Sequence, residues 1–297
     1  MIYMTTERDA YSPRLLKTKR VRRTKDQLDS VLARSLEIIE GEDDKLSIRH
    51  LFYRLESEGV IEKTEKDYDN LRAHLTRWRR AGLLPWGVFT DNTRWHIGRE
   101  TFGGMQEALE RTVSTYRRDL WEQQDFYVEV WTEKDAIAGI VSNVADSFGV
   151  KTFVCRGNAS LTSLYNAADT YRGMQERGKR VAIVHFGDHD PSGLCIDASA
   201  VRALRDDFGV EVEFTRAAVT VEQITSLCLR TRPPKAKDSR AGGWVGGCVE
   251  VDAIPSATLK ELVEHHIVRH IEPVAWARLR QIEDMERQTM RQTLLNN

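Results

Sequence analysis

Along the first hundred residues, apolar positions recur at three- and four-residue spacing. In "TKDQLDSVLARSLEIIEG", Leu28, Val31, Leu32, Leu36 and Ile39 fall on one helical face, with Thr24 or Asp26 to cap the start and Gly41 to end it. "SIRHLFYRLESEG" repeats the pattern: Ser47 is the N-cap, Ile48, Leu51, Phe52 and Leu55 form the stripe, and Gly59 closes it. In "TEKDYDNLRAHLTRWRRAG", Tyr68, Leu71, Leu75 and Trp78 share a face, and Arg72, Arg77, Arg79 and Arg80 populate the rest. "LLPWGVFTDNTRWHIG" reads as short extended pieces around turns. Residues 102–124 then predict one connecting helix, with Met105, Leu109, Val113, Tyr116 and Leu120 in phase.

Near residue 125 the pattern changes. Short apolar runs ("DFYVEVW", "KTFVCRG", "RVAIVHFG", "VEVEFTRAAV") alternate with helical segments at 135–148, 160–177, 192–207 and 221–229. Alternating strand and helix predicts an α/β fold with a mainly parallel, doubly wound sheet. "TRPPKAKDSRAGGWVGG" is a long Pro- and Gly-rich loop, a length that is more often functional than decorative. A last strand, "CVEVD", a helix over 256–270 and a helical extension complete the chain. The expected division is an arm (1–25), a helical domain (26–100), the connecting helix (101–124) and an α/β domain (125–297).

A length of 297 residues fits roughly two domains. No apolar run reaches the roughly 18 residues of a membrane span, and the N-terminus lacks a secretory pattern, so a soluble, cytoplasmic protein is expected. Cys155, Cys195, Cys228 and Cys248 are widely spaced, which argues for reduced thiols over a disulfide framework or zinc. The formal net charge of −1 decides nothing about partners, but its distribution does: residues 14–25, "RLLKTKRVRRTK", carry seven basic residues and no acid. Such an arm either neutralises phosphates or is a solvated tail.

Three helices followed by a short extended hairpin outline a winged helix-turn-helix, in which the third helix enters the DNA major groove. Arg72, Arg77 and Arg80 on that helix suit contact with double-stranded DNA. The carboxyl ends of the parallel strands carry acids: Glu133 in "VEVWTEKD", and Asp188 and Asp190 in "VHFGDHD". Ligands gather at this rim of an open sheet, and grouped hard oxygens suit Mg²⁺, with Mn²⁺ as its substitute. Aspartate is also common in βα turns and as a helix cap, so the DxD alone is weak. A Glu at a second strand end makes the set more specific, and together they resemble the Toprim arrangement, a metal-binding α/β module of topoisomerases, primases and some nucleases.

The chain resembles the A subunit of topoisomerase VI and its relatives that make meiotic double-strand breaks, as a short stand-alone member. "EVWTEKD" is similar to the family's strand-end Glu-Lys segment, "GDHDPSG" to its Asp-x-Asp-Pro-x-Gly, "AAVTVEQI" and "VEVDAIPSATLKELVEHHI" to its later strand and C-terminal helix, and "SIRHLFY" to the helix that ends in the catalytic tyrosine. After Tyr53 the chain departs from the family's continuation, and it has no recognisable ATPase domain. The resemblance implies a winged-helix domain followed by a Toprim domain, a homodimer, a separate B-like ATPase subunit as partner, and a tyrosine that meets the other subunit's metal site. Tyr53 would attack a backbone phosphorus by transesterification and form a phosphotyrosyl link, with Glu133, Asp188 and Asp190 holding Mg²⁺.

Helical geometry permits this role. At about 100° per residue, Tyr53 lies about 140° from Ile48, off the apolar stripe, with Arg49 on nearly the same face. A phenol of pKa about 10 needs help as a nucleophile, and a guanidinium would favour the phenolate. Lys134 and Arg156 are expected to contact phosphate, and Lys235 and Lys237 to line the DNA channel. Glu250 and Asp252 are read as outward-facing strand residues, His189 as a bystander, and His265 and His266 as surface. Two further readings stand beside tyrosine chemistry: a Toprim nuclease that hydrolyses DNA with metal-activated water, and a non-catalytic DNA-binding protein.

Overall fold

A computed structural model describes residues 24–42, 45–90, 98–157, 159–234 and 244–295. The basic arm up to residue 23, and Lys235 and Lys237, lie outside the described residues.

The first three helices begin at side chains that accept from otherwise unpaired backbone N–H groups. α1 (Lys25–Glu40) starts at Thr24, which forms a reciprocal capping box with Gln27, and ends at Gly41. In α2 (Ile48–Ser57) the Ser47 hydroxyl accepts from His50 N at 3.0 Å. In α3 (Glu65–Arg80) the Thr64 hydroxyl accepts from Asp67 N at 3.0 Å. Leu51, Leu55, Leu71 and Leu75 are fully enclosed between them. The buried line of α1 runs through Val31, Ser35 and Ile38, with Leu32, Leu36 and Ile39 at its flank. The expected stripe is thus rotated slightly, because the Ser35 hydroxyl satisfies itself on the Val31 carbonyl at 2.7 Å and can be enclosed. After α3 the chain makes a short 3₁₀ turn at Trp86–Val88, and Phe89 bridges to Leu46. Residues 91–97 of the expected hairpin lie outside the described residues.

The connecting helix is shorter than its periodicity predicts. α4 covers only Met105–Thr115, and Met105 and Leu109 are exposed. The helix stops at Tyr116 because tertiary partners replace its own: Arg287 donates to the Tyr116 carbonyl, the Tyr116 hydroxyl donates to Glu286 at 2.6 Å, and Arg118 N donates to Glu283 at 3.0 Å. These partners sit on α10 (Pro273–Leu295), the C-terminal extension.

The remainder is α/β. β1 (Phe126–Thr132), β2 (Lys151–Val154), β3 (Arg180–Phe186) and β4 (Glu213–Ala218) form one all-parallel sheet in the order β2-β1-β3-β4. α5 (Asp135–Ser147), α6 (Leu161–Glu176), α7 (Pro191–Arg202, continued by a π turn over Ala203–Asp207) and α8 (Val221–Ser226) follow the strands in turn. Val128, Val130, Val184 and Phe186 pack beneath α5 and α9 (Ser256–Val268), while Trp131, Val181 and Ile183 pack against Leu164, Ala168 and Tyr171 of α6. Burial on both faces is why central β3 reads as a nearly unbroken apolar run from Val181 to Phe186. Among the described residues, no helix is long and apolar enough to cross a membrane.

The segment "CVEVD" is not a ladder strand. Cys248 and Val249 make single antiparallel bridges with Arg232 and His189, and the chain then turns through a 3₁₀ segment at Val251–Ala253. The physical reason lies in the site: Val251 N donates to the Asp188 carboxylate at 2.9 Å instead of to a neighbouring strand.

Candidate functional site

The chain ends β1 at Glu133 and Lys134 and ends β3 at Gly187 and Asp188, so both turns open on the same rim of the sheet. The β3 turn is held from behind. Arg216 on β4 donates to the carbonyls of Gly187 and Asp188, both at 3.0 Å, and to Asp197 at 2.7 Å. Asp197 in turn lies 2.9 Å from His185 Nδ1. The turn also needs glycine at two close approaches: a Cβ on Gly187 would run into the His185 ring, and one on Gly193 into the Asp188 carbonyl.

Of the three expected metal ligands, two come together. Glu133 Oε2 accepts from Asp188 N at 3.2 Å. Burial, then the Asp188 charge, raises the Glu133 carboxyl above its ordinary value. Asp190 instead serves as the N-cap of α7, accepting from Gly193 N at 2.7 Å. Among the described residues, no group of three His, Cys, Asp or Glu is arranged as metal ligands.

A cation is already inside the acidic group. Lys134 Nζ lies 2.9 Å from Asp188 Oδ2, 2.7 Å from Glu250 Oε2 and 2.9 Å from Asp252 Oδ2. Burial works against the ammonium, but Asp252 and Asp188 outweigh it and hold Lys134 above the ordinary lysine value. The expectation that Lys134 reaches a phosphate is thus replaced, in this state, by a buried lysine among acids. The outward reading of Glu250 and Asp252 is corrected as well. The Asp252 side chain is fully enclosed, and Glu250 also pairs with Lys63.

Tyr53 reaches this group from α2. Its ring centroid is 5.1 Å from Lys134 Nζ and 4.9 Å from Lys63 Nζ. The ring is half-buried rather than outward-facing, because α2 lies over the Val251–Ala253 turn and the start of α5, where Ser47 Oγ reaches the Ala136 carbonyl at 3.4 Å. Burial raises the phenol above 10, opposed first by Lys134. Arg49 is exposed, with its guanidinium 5.5 Å from the Tyr68 ring, and contributes a weaker pull on the Tyr53 phenol. Lys63 is drawn down to about 8 by burial and by the charges of Arg232 and Lys134.

Beside Tyr53 lies a cavity of about 280 Å³ bordered by Glu56, Lys63, Asp190, Arg230, Arg232 and Glu250. Arg232 pairs with Glu56, and Arg230 donates to the Glu56 carbonyl at 3.2 Å. Sequence reasoning missed Lys63, Arg230 and Arg232. The only signal for the two arginines was their place at the head of the Pro-rich loop. The other expected DNA contacts are dispersed: Arg72, Arg77 and Arg80 are exposed on α3, and Arg156 is exposed with a positive φ of 52°, paired to Asp135 at 3.0 Å. His189 is buried, its ring tilted 59° to that of Trp244 at 5.2 Å between centroids, and burial lowers its pKa.

The chain matches no protein-family model, no curated protein and no solved structure. The family resemblance therefore rests on the chain's own motifs.

Proposed function

We propose that the protein is a DNA-binding, divalent-metal-dependent strand-breaking enzyme, with a winged-helix domain delivering Tyr53 to a Toprim-like rim, as in the A subunit of topoisomerase VI. One observation carries this reading: a tyrosine from the helical domain is packed against an acid- and lysine-lined rim of the parallel sheet, 135 positions before Asp188 in sequence. Tyrosine, lysine and carboxylate at one place are the groups that phosphoryl transfer uses.

In the proposed step, the Tyr53 oxygen bonds to phosphorus as the bond to a sugar oxygen breaks. The phosphodiester becomes a phosphotyrosyl diester, the phenol loses its proton, and the departing sugar oxygen gains one. Lys63, at about 8, is the amine beside the ring close enough to neutrality to exchange that proton. Lys134 and Arg49 supply positive charge beside the phenol, and Arg72, Arg77 and Arg80 hold the duplex by its phosphates. The rim's chemistry fits a hard cation: its donors are carboxylate oxygens, and the enclosed Asp252 is met there by the Lys134 ammonium. Mg²⁺ or Mn²⁺ held by rim carboxylates, Asp188 among them, would neutralise phosphate charge. Tyr53 faces the rim of its own chain, so each subunit of a proposed homodimer carries both groups. A separate B-like ATPase would be needed for strand passage.

The second reading, metal-assisted hydrolysis by water, is favoured by one specific observation: burial raises the Tyr53 phenol instead of activating it. Incubation with supercoiled plasmid and Mg²⁺ or Mn²⁺, with products separated before and after protease treatment, distinguishes them. Tyrosine chemistry predicts broken strands that carry protein, absent in Tyr53→Phe. Cutting that persists in Tyr53→Phe without an adduct supports hydrolysis.

A further inference from the structure

We propose that Trp86, with the Arg79 guanidinium over its ring, is a stacking platform for an unpaired nucleobase, so that the protein prefers a duplex with a single-stranded tail to a blunt one. Trp86 is 60% exposed, and Leu83 before it is 53% exposed. A single exposed apolar side chain is ordinary; what distinguishes this one is its support. Leu84 is buried in the core shared by α1, α2 and α3. Beyond the indole, the Val88 carbonyl accepts from Leu46 N at 3.1 Å, and Thr90 N donates to the Leu46 carbonyl at 2.9 Å. Pro85 enters the turn with φ fixed at −65°. The ring is therefore presented by backbone anchored on both sides, and a ligand stacking on it has little left to order.

Arg79 adds a second, independent observation. Its guanidinium carbon lies 4.8 Å from the Trp86 ring centroid and 5.4 Å from that of Phe89, and its Nε donates to the Leu75 carbonyl at 3.3 Å. Phe89 packs on the core, so Arg79 links the interior to the exposed indole. Aromatic rings and guanidinium planes are the surfaces on which splayed-out bases stack.

Charge selects the ligand. Residues 70–90 carry four arginines and no Asp or Glu, and Arg77, Arg79 and Arg80 share the last turn of α3. Like charges oppose self-association through this patch, whereas a strand of nucleic acid brings phosphates for the guanidinium groups and a flat base for the indole. Bases inside an intact duplex are already stacked on one another, so the base that covers Trp86 is an unpaired one.

The inference rests on the nucleic-acid binding of the proposed function and on none of its chemistry. Fluorescence anisotropy is measured on the full chain in a chelating buffer with three labelled DNAs: a blunt duplex, the same duplex with a short thymine tail, and the same duplex with an abasic tail of equal length. The abasic tail keeps the phosphates and removes the bases. At equal salt the wild type should bind the thymine tail about tenfold tighter than the abasic one, the effect of stacking one base. Trp86→Ala should abolish that preference and leave the blunt-duplex affinity unchanged, and Trp86→Phe should keep most of it. A check that needs no variant is a fluorescent purine analogue in the tail, which the wild type should quench on binding. Equal affinity for the two tails, a preference that survives in Trp86→Ala, or an unquenched analogue at saturation overturns the platform. So does a smaller oligomer in Trp86→Ala with the preference intact, which would assign the ring to a second copy of the chain. Blunt-duplex binding with no tail preference sinks the platform alone; binding to none of the three DNAs sinks the proposed function with it.

Discussion

Replacing Lys134 by methionine removes the one ammonium that three carboxylates share. The side chains of Lys134, Asp188 and Glu250 are 18%, 11% and 19% exposed, and that of Asp252 is 0% exposed. Deleting one partner of a buried ion pair costs about 3–5 kcal/mol, because the other charge stays buried and uncompensated. Here Asp188 keeps the Val251 N–H and Glu250 keeps Lys63, so the penalty falls chiefly on Asp252. The lower end of that range, about 3 kcal/mol, is therefore expected at neutral pH without divalent metal. The assay is urea unfolding followed by circular dichroism, in a chelating buffer. Adding Asp252→Asn to Lys134→Met should recover about 1–3 kcal/mol, since the two groups are coupled. A Lys134→Met cost below about 1 kcal/mol, or strictly additive effects of the two changes, would refute the claim that Lys134 is the counter-charge of this group.

His50 supplies a pH prediction. It is fully enclosed, neither ring nitrogen has a hydrogen bond, and burial lowers its pKa to about 4. As pH falls from about 6.5 to about 4, the unfolded chain takes a proton that the folded chain refuses, so stability should drop by about 3 kcal/mol. His50→Leu should flatten that part of the pH–stability curve, and an unchanged slope would count against it. Neutralising Arg72, Arg77 and Arg80 together should lower the log–log salt slope of DNA binding by about 0.9 for each phosphate that is no longer neutralised; an unaltered slope removes α3 from the interface. Gly187→Ala forces a Cβ into the His185 ring and should cost about 1–3 kcal/mol in unfolding experiments.

Local signals were the legible part. Thr24, Ser47 and Gly41 mark helix ends through hydrogen bonds within three or four residues, and all three act where the sequence puts them. Central β3 was equally plain, because a strand buried on both faces leaves few polar interruptions. Tertiary context decided the rest. Tyr116 has helical phase with Val113, yet partners on α10, some 170 positions later, end the helix there. Lys134 looked like a phosphate ligand because its true neighbours, Glu250 and Asp252, are more than a hundred positions away. Those two acids looked outward-facing because "VEVD" alternates like an exposed strand, whereas the chain there bends to satisfy Asp188. Glu133 and Asp188 were readable as a pair because strand ends of one parallel sheet share a rim. Asp190 has the same signature but the commoner role of a cap.

The central claim is that Tyr53 becomes joined to DNA. The protein is incubated with plasmid and Mg²⁺ or Mn²⁺, denatured, trimmed with nuclease and digested, and the peptide carrying Tyr53 is weighed. The account predicts a nucleotide remnant on Tyr53 that disappears in Tyr53→Phe and in Asp188→Asn. Efficient strand cutting with an unmodified Tyr53 peptide would contradict it.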